Sequence, residues 1–322
     1  MYLTQAFLYI YRMQKILITG SNGLLGQKLV YKLKDTSGIS CIATARGENR
    51  LVSKDGYEYA ELDITDYHSV ASVFKNYKPD VVINTAAMTN VDACETDREG
   101  CWLLNVTSVE NQVKVLEELQ TQDPSYKPQF IHLSTDFIFD GTHGPLNEEV
   151  IPKPLSYYGE SKLAAEKAVE GSSLHWAIAR TVLVYGIVDN MSRSNIVLWV
   201  KQSLEQGKSI NVVDDQFRTP TLAEDLADGC ILIAKKKAQG IYNISGSDFL
   251  SILEIAQLVA GYYKLDTSLI KPAKSEDIKQ PAKRPPITGF IIDKAQRELG
   301  YKPHTFVEGI RFMEEQLKQM KG

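Results

Sequence analysis

The chain has 322 residues, 43% hydrophobic and 24% charged, enough for one large domain, or a large domain with a smaller lobe, around a sizeable core. A net charge near −4 argues against a nucleic-acid binder or a protein held electrostatically on a membrane, and leaves room for an anionic small molecule gripped by a local cluster of arginines. Cys41, Cys94, Cys101 and Cys230 form no C-x-x-C and read as reduced core thiols of a cytoplasmic protein, while His68, His132, His143, His175 and His304 show no ligand spacing, so no metal is expected.

Residues 1–14 open the chain with a short apolar patch that has no basic leader and is too short to span a bilayer, so they read as a peripheral extension. From residue 15 apolar, β-branched runs ("KILITG", "SCIATA", "DVVINTAA", "QFIHLSTD", "HWAIARTVLVYG") alternate with helical spacing at 24–33, 70–77, 101–119 and 163–169. Strand and helix in alternation predict right-handed crossovers and a mainly parallel sheet covered on both faces. Beyond residue 186 the alternation loosens into long helices, short strands such as "SINVV" and "GIYNIS", and a Pro- and Lys-rich segment at 271–286. The expected fold is α/β: a Rossmann-type doubly wound parallel sheet over 15–186, and a smaller substrate-binding lobe over 187–322, interleaved with it.

The first run ends in "ITGSNGLLG", which sets Gly20, Gly23 and Gly26 at a strand-to-helix turn. A pyrophosphate must approach backbone N–H groups and the positive helix end there, which a Cβ would obstruct, so Gly20, Asn22, Gly23, Leu24, Leu25 and Gly26 are expected to bind a dinucleotide. The second run ends in "ATARGENR", where Arg46 stands and no acid appears before Glu48. An arginine can pair with a 2′-phosphate, which favours NADPH and leaves NADH open; a solvated surface arginine is the alternative. Asp63 and Ile64 in "LDITD" are candidates for the adenine end, and residues 84–87, including Ala86 and Ala87, for the nicotinamide side; both could equally be loop structure.

"HLSTDFIFDG" places Ser134, Thr135 and Asp136 at the end of another strand, the edge where parallel sheets bind ligands. A hydroxyl there can polarise a carbonyl, or simply cap a turn. In "SYYGESK" residues four apart share a helix face, so Tyr158 neighbours Lys162 and Tyr157 points elsewhere. An ammonium about 4 Å from a phenol, at an effective dielectric near 20, favours the phenolate by about 4 kcal/mol, enough to make Tyr158 a general acid.

Taken together, "GSNGLLG", "LDITD", "NTAAMTNVDACETD", "STDFIFDG", "PLSYYGESKLAAEKAV", "RTVLVYG", "DDQFRTPT" and "KRPPITGFIIDKAQRELGY" resemble the extended short-chain dehydrogenase/reductases, and among them the dTDP-4-dehydrorhamnose reductases, from Lys15 to about Lys302. The resemblance implies reduction of a nucleotide-linked 4-keto-6-deoxy sugar by NAD(P)H in surface-polysaccharide synthesis. Tyr158 is then the proton donor, Lys162 lowers its pKa and holds the nicotinamide ribose, and Thr135 orients the carbonyl. It also implies substrate contacts from Thr89, Ser134 and Asp136.

Two positions depart from the family. Leu183 stands where tryptophan is frequent, removing an aromatic wall beside the sugar, and Arg218 stands where glycine is common, adding a diphosphate contact or filling space. Arg284 in "KRPP" reads either as a diphosphate contact or as part of a turn. Asp136 followed by Phe137 lacks the acid pair of a 4,6-dehydratase. A 4-epimerase remains an alternative, as does a non-catalytic NADP-binding regulatory subunit of the methionine adenosyltransferase type, in which the tryptophan position is also aliphatic. A homodimer is left open.

Overall fold

The computed structural model describes residues 13–190 and 194–320; the extension expected over 1–12 lies outside the described residues. The first half builds β1 (Gln14–Thr19), α1 (Leu24–Leu33), β2 (Ile39–Ala45), β3 (Glu58–Glu61), α2 (Tyr67–Tyr77), β4 (Val81–Asn84), α3 (Val91–Thr96), α4 (Arg98–Trp102), a π-turn (Leu103–Thr107), α5 (Ser108–Gln122), β5 (Gln129–Thr135), α6 (Tyr157–Glu170) and β6 (His175–Thr181). Then come β7 (Val184–Tyr185), α7 (Ile196–Glu205), β8 (Ile210–Val213), β9 (Phe217–Arg218), β10 (Thr221–Leu222), α8 (Ala223–Lys236), β11 (Gly240–Asn243), β12 (Leu250–Ser251), α9 (Ile252–Tyr263), β13 (Ile270–Ala273) and α10 (Phe306–Gln319).

Seven of these strands pair in parallel in the order β3-β2-β1-β4-β5-β6-β11. Because successive side chains leave a strand on opposite faces, a strand buried on both sides reads as a continuous apolar run. Ile16, Ile18, Val81, Ile83, Ile131, Ala177 and Ala179 accordingly pack toward Leu29, Val30 and Leu33 of α1 and Leu226, Ile233 and Ala234 of α8. Their neighbours Leu17, Val82, Phe130 and Ile178 pack the other way, on Phe74 of α2, Val113 and Leu116 of α5 and Ala165 and Val169 of α6. Tyr185, α7, α9, β8, β13 and Phe306, Ile310 and Met313 of α10 enclose a separate core.

The helix expected at 101–119 is broken: the chain widens into the π-turn, which brings Asn105 inward. The strand "GIYNIS", placed beyond residue 186 in sequence, forms the outer edge of the main sheet beside β6. β3 has too little apolar character to stand out in the sequence; its four residues are at most half-buried. Among the described residues no helix is long and apolar enough to cross a membrane, and no cluster of His, Cys, Asp and Glu could hold a metal.

Candidate active site

The strand order reverses between β1 and β4, and a crevice opens there beyond the carboxyl ends of the strands. It is a cleft of about 690 Å³, walled at one end by Asn22 to Gly26 and at the other by Ser134, Thr135, Asp136, Tyr158 and Lys162. Gly20 sits at φ 70° with its missing Cβ 2.9 Å from the Ala86 backbone. A Cβ on Gly26 would strike the Gly20 carbonyl, so the first turn of α1 closes on β1 only with glycine at both positions. Ala86, Ala87 and Thr89 line the cleft from the segment after β4. That segment is held by Asn105, whose amide accepts from Met88 N at 2.8 Å and donates to Met88 O at 3.1 Å.

Tyr158 is delivered by the start of α6. Ser156 caps the helix by accepting from Gly159 N at 3.2 Å, and the Tyr157 N–H donates to Glu95 of α3 at 2.7 Å. A Cβ on Gly159 would collide with the Phe137 carbonyl, so this glycine lets the helix settle directly on the turn that follows β5. Tyr158 then packs edge-on to Phe137 in the cleft, while Tyr157 turns to Trp102 and Arg98. Thr135 donates to Asp136 at 3.1 Å and accepts from Phe137 N at 3.2 Å, so it caps the turn as well as facing the cleft.

The electrostatics differ from the expectation that Lys162 depresses the Tyr158 phenol. Burial dominates and pushes the phenol up, with the Thr135 hydroxyl pulling down and the nearby Asp136 charge pushing up. Lys162 instead points its Nζ at His132 Nε2, 3.2 Å away, and burial pushes its ammonium down to about 8, opposed by Glu166 and Cys101. Ser134 Oγ is buried in the cleft wall without a hydrogen-bond partner, a hydroxyl left over for a ligand.

Five expected contacts lie elsewhere. Arg218 is buried, giving hydrogen bonds to the carbonyls of Phe217, Pro285 and Pro286 and standing 3.5 Å from Asp136, so it locks the lobe to the sheet and has no face for a diphosphate. Arg284 is paired with Asp92 at 2.8 Å. Asp63 accepts from the Thr65 N–H and hydroxyl at 2.9 and 2.6 Å as a turn, Ile64 is in the core beneath α2, and Arg46 is exposed outside the cleft wall. Leu183 does line the cleft, at φ 40°, in the left-handed region that few bulky residues enter.

Sequence reasoning missed Arg50 and the segment 186–190. Arg50, Gly186, Val188, Asp189 and Asn190 line the cleft. The loop is pinned over α1: Gln27 accepts from Asp189 N at 2.7 Å, Asp189 takes the Val52 N–H at 3.0 Å and the Tyr31 hydroxyl, and Asn190 donates to Arg50 O at 3.2 Å. The only signal was the glycine closing "RTVLVYG" and the polar run behind it.

The chain matches the family model described as the RmlD substrate binding domain over residues 13–319. It is 32% identical over 272 residues to the methionine adenosyltransferase 2 subunit beta of Xenopus laevis, covering 82% of this chain and 77% of that protein. It is 30% identical over 300 residues to the spore coat polysaccharide biosynthesis protein SpsK of Bacillus subtilis (strain 168), covering 93% and 96%. The crystal structure of a dTDP-4-dehydrorhamnose reductase from Clostridium acetobutylicum superposes with a TM-score of 0.81 at 26% identity, over 95% of this chain and 100% of that one. With the parallel sheet, the glycine turn and the cleft at its switch point, these matches show that the chain belongs to the RmlD substrate binding domain family, whose fold is that of the dTDP-4-dehydrorhamnose reductases.

Proposed function

We propose that the protein reduces the C4 ketone of a nucleotide-linked 4-keto-6-deoxy sugar, with dTDP-4-dehydrorhamnose the favoured substrate and dTDP-rhamnose the product. The observation that carries this reading is that Thr135, Tyr158 and Lys162 meet in one cleft continuous with the glycine turn. The turn fits a dinucleotide: Gly20 and Gly26 leave space that a Cβ would fill, at the N-terminus of α1. A reduced nicotinamide bound there would supply the hydride.

The residues of the chain do the proton work. Tyr158, kept protonated by burial, holds the proton that the sugar O4 needs once C4 has gained the hydride. The unpartnered Ser134 hydroxyl presents a donor to the same oxygen, Thr135 joins it by turning its hydroxyl proton away from Asp136, and Lys162 stands one helical turn behind Tyr158 to stabilise the phenolate left by proton transfer. Tyr158→Phe is expected to lower turnover of dTDP-4-keto-6-deoxy-L-mannose, read as NADPH oxidation, by at least about a hundredfold while NADPH binding survives. Near-normal turnover in that variant removes Tyr158 from the role.

The similarity to methionine adenosyltransferase beta subunits favours a second reading, a regulatory subunit that binds NADP and acts through a synthetase partner. Leu183, aliphatic in the cleft wall, is compatible with it. Capture of a methionine adenosyltransferase by the purified protein, with no ketosugar turnover, would replace the reductase reading.

A further inference from the structure

Behind Lys162 runs a chain of buried polar side chains whose hydrogen bonds have a direction. On α5 the Gln112 amide nitrogen donates to Ser108 O at 3.1 Å and to Asn84 Oδ1 at 3.4 Å. Turning that amide over would set its oxygen against the Ser108 carbonyl, so the nitrogen stays where it is. Asn84 Oδ1 also receives the Thr19 hydroxyl at 2.6 Å and is thereby the acceptor end of its amide. The Asn84 nitrogen is left to donate to His132 Nδ1, 3.1 Å away.

A neutral imidazole carries one N–H. His132 is only 1% exposed, and burial together with the facing Lys162 holds it well below the usual histidine range, so it is neutral. With Nδ1 accepting, its proton is on Nε2, which lies 3.2 Å from Lys162 Nζ. An N–H in that place is complementary to an amine lone pair and not to an ammonium. The other groups that act on the lysine are Glu166, one turn along α6 and tied to Arg180 at 2.7 Å, and Cys101 from α4; Tyr158, one turn back on its own helix, lines the same cleft.

We propose that His132 is a positioning residue that sets the charge state of Lys162: Gln112 and Asn84 fix its proton on Nε2, that N–H donates to the lysine nitrogen, and protonation of the lysine breaks the contact. Gaining the cation then requires the imidazole to turn or Nζ to swing toward the cleft, which couples the charge of the site to its geometry. The hydrogen-bond direction stands by itself; its effect on turnover rests on the reductase reading, in which the ammonium is the form that steadies the Tyr158 phenolate and activity falls as pH rises through the lysine pKa.

The direction is tested first, on the wild-type protein labelled with 15N-histidine. Long-range proton–nitrogen correlations are expected to show His132 with Nε2 protonated and Nδ1 bare, and the opposite tautomer overturns the inference whatever the protein catalyses. Next, His132→Gln, which can turn a carbonyl toward the lysine, and His132→Phe, which removes the donor, are compared with wild type. The basic limb of the pH profile is expected to move up by about one pH unit in the folded variants. The limb is read from turnover and independently from NADPH binding, so a protein without ketosugar activity still reports it. An unmoved limb in a variant with native circular dichroism overturns the role.

Discussion

At the scale of single residues the site sets groups in tension with their surroundings. Lys162 has a folded-state pKa near 8 against an ordinary 10.5. Between those values the unfolded chain holds the proton and the folded one does not, so stability rises as pH climbs from about 8 to about 10.5. Below about 8 the folded protein carries the full cost of the buried ammonium, on the order of 3 kcal/mol. Lys162→Met is therefore expected to be more stable than wild type at pH 7 in urea denaturation, and flat over the window in which wild type gains stability. The same substitution is expected to remove turnover. Arg218 answers to the opposite rule: it stands beside the buried Asp136, and Arg218→Met is expected to cost about 3–5 kcal/mol by stranding that carboxylate, checked by the same denaturation. Tyr158, Lys162 and Thr135 were legible because strand-end and i, i+4 placement follow from local spacing. Arg218 and Arg284 were not, because a sequence does not say whether a guanidinium's partner is a ligand or a carboxylate of the chain itself. Here Asp136 and Asp92 took that place.

At the scale of elements, two helical glycines should respond in opposite directions. Gly26 begins α1 against the Gly20 carbonyl, and Gly26→Ala is expected to destabilise by about 1–3 kcal/mol and to weaken NADPH binding, measured by thermal shift with and without cofactor. Gly261 lies inside α9 with nothing near an added Cβ, and Gly261→Ala is expected to stabilise by about 0.5–1 kcal/mol. Helix faces and strand runs were readable from periodicity, but the π-turn was not. Its extra residue per turn is supported by Asn105, whose amide reaches Met88 and Ser161, contacts no local pattern announces. The segment 186–190 escaped for a related reason: Asp189 and Asn190 are held by Gln27, Tyr31 and Arg50, far away in the chain.

At the scale of the whole molecule, the parallel sheet was legible from alternation, but the seat of its last strand was not. β11 joins the sheet edge, and α8 binds α1 through Lys28–Glu224 and Lys32–Asp228, both at 2.8 Å. A fragment ending at residue 186 lacks both β11 and α8, leaving the sheet face of Ile16, Ile18 and Ile131 covered by α1 without the Leu226, Ile233 and Ala234 side chains of α8. It is expected to show no cooperative thermal transition, while the full chain shows one; a sharp transition in the fragment would mean that the first half folds by itself. On the ribosome the same arrangement makes β6 an open edge until residues 240–243 have emerged from the exit tunnel. Nascent chains that have extruded β6 and not yet β11 therefore present an unpaired strand to their neighbours, and this stretch of synthesis is where a chaperone has most to shield.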